Sequence, residues 1–270
     1  MPTVHVNDAD VHYTDTGAPP GKPDAATVVF GHGLLFSGWM FAHQVEALED
    51  EYRCVTIDWR SQGKSPVARD GHDMDTLTLD LVALLDELNL RTVHYVGLSM
   101  GGYVGMRFAA RHPDRVLSLV LLDTDAGPED PQVRPKYRML ANIYRLVGPG
   151  PIRKRMEPIM FGPTFRGHSH GQAVIEQWLG QLKKNSKAGM RRAVLGITER
   201  LPVADEIGGI RARTLVAVGA DDVATVPAKS EAIAAAIDGA KLEIVPDAGH
   251  SSTIEQPEVM TRLIREHLAG

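Results

Sequence analysis

Eight short runs rich in β-branched and apolar residues recur along the chain, at 4–7, 11–14, 27–30, 53–57, 92–96, 116–122, 214–218 and 241–245. The first two alternate around Asp8-Ala9-Asp10 and predict a hairpin. The other six are nearly continuous, as strands are when a sheet is buried on both faces, and such sheets pair in parallel. Helical patterns fill the gaps. Leu77, Leu81, Leu84, Leu85 and Leu88 make one stripe over 76–88, and 102–110, 228–237 and 258–268 read as further helices. Strand–helix alternation behind a leading hairpin predicts an α/β protein with a mostly parallel eight-stranded sheet and helices on both faces.

One interval breaks the rhythm. From 128 to 210 no run reads as a strand, and Pro131, Pro135, Pro149, Pro151, Pro158 and Pro163 punctuate helical patches. An unstructured loop of that length is foreign to a compact domain. The expectation is therefore a helical cap, or lid, inserted after the sixth strand, with 1–127 and 211–270 forming the core. The cap carries 14 Lys and Arg against 7 Asp and Glu, a net of +7, which leaves −12 for the rest. A total of −5 over 270 residues gives no nucleic-acid footprint. The single cysteine, Cys54, excludes an internal disulfide framework and a cysteine-rich metal site. The first residues lack the basic and apolar regions of a signal peptide, and the longest apolar run is too short to span a bilayer. A cytoplasmic protein with no membrane partner is expected.

The chemistry concentrates in Gly97-Leu98-Ser99-Met100-Gly101, which follows one predicted strand and precedes a helix. From the composition, roughly 0.1 chance matches to G-x-S-x-G are expected before that context is required. A serine in such a turn is lifted from the sheet onto a helix N-terminus, where developing negative charge is favoured. The glycines two before and two after it allow neighbouring backbone to come close.

A serine nucleophile needs a base, and the base needs an orienting acid. His250 follows the last strand, where an imidazole reaches over the serine. The other histidines fall in strands, helices or polar loops. His168 and His170 lie in the cap without a carboxylate or thiol cluster and read as surface residues. The seventh run ends in Gly219-Ala220-Asp221-Asp222, so either aspartate supplies an acid in the order serine, acid, histidine. Asp123 and Asp125, after the sixth run, are the fallback, with turn or cap roles as the plain alternative. An oxyanion needs two N–H donors: Met100, after the nucleophile, and one from the loop Gly31-His32-Gly33-Leu34-Leu35.

With these pieces in this order the whole chain resembles the α/β-hydrolase fold serine hydrolases. It is most similar to the branch of small carboxylesterases, cofactor-free haloperoxidases (perhydrolases) and 3-oxoadipate enol-lactonases. The matching stretches are His32-Gly33-Leu34, Gly97–Gly102, Gly219-Ala220-Asp221-Asp222 and Ala248-Gly249-His250-Ser251. The family's G-x-x-D turn selects Asp222, and its oxyanion donor after His-Gly carries over to Leu34. Where the family often has D-x-R-G-x-G-x-S, Ser61 replaces a glycine, in a loop expected to lie away from the triad.

The resemblance implies a catalytic triad of Ser99, His250 and Asp222 acting on a small, largely apolar ester or lactone, with Leu34 and Met100 as oxyanion donors. Perhydrolysis, carbon–carbon bond hydrolysis and a ligand-binding receptor with a weak triad are the alternatives. No metal or organic cofactor is implied, and nothing indicates an oligomeric state. A substrate pocket is expected from His32, Leu35, Met139, Phe161 and Trp178, with Tyr137, Tyr144, Met156, Met160 and Phe165 as further cap candidates. The basic cap would draw in anionic substrates.

Overall fold

The computed structural model describes residues 2–270. Its strands are β1 (Thr3–Val6), β2 (Ala9–Asp15), β3 (Thr27–Gly31), β4 (Arg53–Ile57), β5 (Val93–Leu98), β6 (Val116–Leu122), β7 (Arg213–Gly219) and β8 (Lys241–Val245). They form one sheet in the order β1-β2-β4-β3-β5-β6-β7-β8. β2 is antiparallel to both β1 and β4, and all other neighbours are parallel. The helices are α1 (Ala42–Leu48), α2 (Met74–Glu87), α3 (Met100–Arg111), α4 (Arg134–Val147), α5 (Arg153–Met160) and α6 (Pro163–Gly167). They continue with α7 (Ser169–Leu182), α8 (Lys187–Thr198), α9 (Pro227–Ala236), α10 (Ser252–Glu255) and α11 (Pro257–Ala269).

Strand alternation divides the core in two. Val29, Val55, Tyr95 and Leu119 point to one face, where Leu81 of α2, Val104 of α3 and Ile233 of α9 meet them. Val28, Phe30, Val96 and Val120 point to the other, against Leu48 of α1 and Ile264 of α11. The cap interval holds α4 to α8 and no strand, and its Tyr144 and Trp178 join this second core.

Two expectations need correction. The last run was expected to be buried on both faces, yet Lys241 and Glu243 are exposed and Ile244 is 46 % exposed. β8 pairs only with β7 and is the sheet's edge. The helix after the serine begins at Met100 rather than at 102, so Ser99 itself stands at its N-cap. Among the described residues, no helix is long and apolar enough to cross a membrane.

Candidate active site

Ser99 joins β5 to α3 with φ 52° and ψ −109°, a conformation that a non-glycine residue holds only when its surroundings impose it. Packed backbone imposes it here. A Cβ on Gly97 would lie 2.4 Å from Gly101 O, and one on Gly101 would lie 1.9 Å from Gly31 O. The Ser99 hydroxyl caps nothing in α3 and instead meets His250 Nε2 at 2.9 Å.

His250 sits in the loop between β8 and α10, and its Nδ1 lies 2.8 Å from Asp222 Oδ2. Asp222 leads out of β7. Its Oδ1 accepts the N–H groups of Ala224 (2.8 Å) and Thr225 (3.0 Å), and its Oδ2 accepts the Thr225 hydroxyl at 2.7 Å. These bonds leave Asp222 accepting the Nδ1–H of His250, so Nε2 is the nitrogen free to take the serine proton. Burial pushes the Asp222 carboxyl up, but the His250 charge and the bonds from His250 and Thr225 outweigh it and hold it below its ordinary value. Burial pushes His250 down, but Asp222 outweighs this and holds the imidazole above its ordinary value.

The structure separates the four candidate acids. Asp221 turns its N–H to Ala248 O and is half-buried. Asp125 pairs with Lys229 (2.9 Å) and Arg200 (3.3 Å). Asp123 is fully buried, accepts Gly219 N–H at 2.9 Å and shares a hydrogen bond with Ser252. Burial first, then the nearby Asp222 carboxylate, hold Asp123 well above the usual carboxylate range.

Among the described residues, the N–H groups of Leu34 and Met100 meet no protein acceptor. Their neighbours are all engaged. Gly33 N–H faces Met40 Sδ, Leu35 N–H donates to Gln62 Oε1, and Gly101 N–H donates to His32 O. Two unspent donors among bonded ones, beside Ser99, make a site for a developing oxyanion.

Two residues without a sequence signal, Gln62 and Glu255, hold this arrangement. Leu35 stands at φ 69°, with its N–H 3.1 Å from Gln62 Oε1 and its carbonyl accepting Trp178 Nε1–H at 3.0 Å. Gln62 Nε2 also faces Met100 Sδ at 3.8 Å, so one buried amide touches both arms of the oxyanion site. The loop with the Ser61 departure therefore bears on the site, contrary to expectation. Ser61 itself keeps a left-handed φ of 63°, the conformation that a glycine adopts without strain.

Glu255 is a second such residue. It accepts the N–H groups of Gly249 (3.0 Å) and Ser251 (3.0 Å), which flank His250, and that of Gly162 (2.8 Å) from the cap interval. A Cβ on Gly249 would lie 2.3 Å from Gly162 N, so the two segments meet backbone to backbone. Burial raises the Glu255 carboxyl, and the three N–H groups only partly offset it.

Ser99 and His250 open onto an apolar cavity of about 130 Å³, comparable to one that holds benzene. Leu35 lines it as expected, together with Tyr137, Tyr144, Met156 and Met160. The other expected wall residues stand elsewhere. His32 is fully buried beneath the loop, where Nδ1–H donates to Gly33 O and Nε2 accepts Trp59 N–H. Burial keeps it neutral by lowering its pKa. Trp178 and Phe161 pack edge to face at 5.4 Å, Phe165 stacks on Phe161, and none of the three reaches the cavity. Met139 is 50 % exposed because Leu140 and Tyr144 occupy the inward stripe of α4. His168 and His170 are exposed near the start of α7. A larger cavity of about 490 Å³ shares Leu35 but is not lined by Ser99.

The chain is similar over its whole length to several known proteins. A thermophilic esterase from Thermogutta terrifontis superposes with a TM-score of 0.90 at 33 % identity, over 100 % of this chain and 98 % of that one. The enol-lactonase from Burkholderia xenovorans LB400 gives a TM-score of 0.90 at 28 % identity, over the full length of both. RutD of Variovorax paradoxus (strain S110), a carbamate hydrolase candidate, is 29 % identical over 251 residues, 92 % of this chain and 94 % of that protein. Residues 26–257 match the family described as alpha/beta hydrolase fold, and the chain belongs to that family and is a hydrolase.

Proposed function

We propose that the protein cleaves a carboxylic ester or lactone of a small, largely apolar substrate by two-step acyl transfer. One observation carries the reading: the Ser99–His250–Asp222 line, with hydrogen bonds of 2.9 and 2.8 Å, opens on an apolar cavity beside two unspent N–H donors. The esterase and the enol-lactonase among the similar structures support it.

Ser99 Oγ attacks the carbonyl carbon as its proton passes to His250 Nε2. Asp222 fixes the tautomer and stabilises the imidazolium that forms. Leu34 and Met100 N–H bind the oxyanion, each donor worth about 3–4 kcal/mol of barrier. The imidazolium returns the proton to the departing alkoxide, which leaves Ser99 acylated. A water deprotonated by His250 then attacks the acyl carbon, and Ser99 leaves with the proton. The interval 128–210 acts as the lid, with Leu140, Tyr144, Met156 and Met160 forming the apolar wall around the acyl group.

Stopped-flow release of 4-nitrophenol from short and medium acyl esters tests this. A burst equal to the enzyme concentration is expected, with kcat falling on the order of 10⁶-fold in Ser99→Ala. A folded Ser99→Ala protein with full activity would overturn the assignment.

A further inference from the structure

Nearly every polar side chain lining the cavity is already engaged. Thr225 bonds Asp222, Thr198 donates to Leu195 O at 3.2 Å, and Tyr144 donates to Leu182 O at 3.2 Å. Arg200 donates to Gly127 O and Ile197 O and pairs with Glu129 and Asp125. Its guanidinium lies 4.3 Å from the centroid of the Tyr103 ring. Two groups are left over. Tyr103 and Tyr137 line the cavity, and among the described residues neither hydroxyl has a hydrogen-bond partner.

Hydroxyls that face a cavity are costly to strip of water with a purely hydrocarbon ligand, and favourable to cover when the ligand supplies an oxygen. The charge around them decides which oxygen. Among the described residues, Arg200 is the one Lys or Arg side chain lining the cavity, and two carboxylates and two carbonyls hold it. Glu129 also lines the cavity, so a carboxylate on the substrate would meet a like charge and no free cation. Both tyrosines share the cavity lining with Arg200, Glu129, Ser99 and His250, and Arg200 lies over the Tyr103 ring. The cap's other cations contribute nothing to this wall.

We propose that the cavity selects acyl groups carrying a neutral oxygen, a keto or hydroxyl group, to which Tyr103 and Tyr137 hydrogen-bond, over acyl groups ending in a carboxylate. This rests on the acyl-transfer reading above and names the substrate class within it. A five-carbon acyl chain matches a cavity of about 130 Å³.

The test compares kcat/KM for 4-nitrophenyl pentanoate, 4-oxopentanoate and hemisuccinate, each divided by its rate of hydroxide hydrolysis. Wild type is expected to favour the 4-oxopentanoate about tenfold over the pentanoate, the size of one neutral hydrogen bond, with the hemisuccinate last. The preference should collapse toward unity in Tyr137→Phe and shrink in Tyr103→Phe. Because two esters are compared within one protein, loss of folded enzyme cancels from the ratio. A ratio near one in wild type, a ratio that survives in both variants, or a preference for the hemisuccinate would overturn the proposal alone. No burst from any of the three esters would remove the acyl-transfer reading and this inference with it.

Discussion

The serine half and the histidine half of the site are built differently. Around Ser99, position comes chiefly from backbone packed on backbone, with Gly97 against Gly101 and Gly101 against Gly31, fastened by the Thr124 hydroxyl on Ser99 O and the Tyr95 phenol on Gly101 O, and no carboxylate takes part. Around His250, position comes from carboxylates. Asp222 orients the ring, Asp123 ties Ser252 to Gly219, and Glu255 holds the loop on both sides of the imidazole. Packed glycines leave no slack and do not respond to pH. A loop held by buried carboxylates responds to both a proton and a single-atom change.

Asp222→Asn should separate the halves most strongly. The shape of the carboxyl group is retained, but an amide in its place stabilises the wrong tautomer, and kcat is expected to fall by about 10⁴. The pH profile moves too. His250 acts as a base only when neutral, and Asp222 holds its pKa above 6.5, so wild-type kcat/KM should fall as pH drops through a value above 6.5. Without the carboxylate, burial dominates and the same limb moves to lower pH. A pH–rate profile of both proteins with one ester checks this, and an unmoved limb would separate Asp222 from the imidazole.

Glu255→Gln is the next largest change. Its two oxygens accept three N–H groups, and an amide nitrogen in place of either oxygen turns one acceptor into a donor facing a donor. One orphaned buried N–H costs about 1–3 kcal/mol, which for a domain of this size lowers Tm by several degrees. Because two of the three donors flank His250, kcat should fall about tenfold with KM little altered. A drop in Tm with unchanged kcat would make Glu255 a structural tie only.

This division also decides what the sequence made legible. Close backbone approach demands glycine at fixed offsets from Ser99, so the elbow, the strand before it and the helix after it leave a pattern in consecutive residues. The G-x-x-D turn likewise picked out Asp222 once the resemblance was drawn. Glu255 and Gln62 leave none, because each bonds backbone N–H groups that the fold, not a fixed spacing, brings to it: Glu255 joins Gly249 and Ser251 to Gly162, 93 residues away, and Gln62 reaches Leu35, 27 away. Trp178 and Phe161 were readable as apolar cap residues, but composition does not tell a cavity wall from the packing behind it. Likewise the runs of apolar residues marked all eight strands, while the exposure of β8 depends on its having one neighbour.

The smallest expected effect lies on the serine half, at the residue nearest the chemistry. Met100 contributes its backbone N–H, and its side chain is fully buried with Sδ 3.8 Å from Gln62 Nε2. Met100→Leu keeps the donor and nearly the same volume, a change that usually costs under about 1.5 kcal/mol. It removes the weak N–H···S contact, while Gln62 still holds Leu35 N–H at 3.1 Å. With the oxyanion donors in place, kcat should stay within about threefold of wild type, the scale of a small shift in packing. A hundredfold loss would mean that the Met100 side chain, through Gln62, sets the position of the oxyanion loop. The serine half would then, like the histidine half, take its position from a chain of side-chain contacts rather than from packed backbone, and the contrast between them would fail.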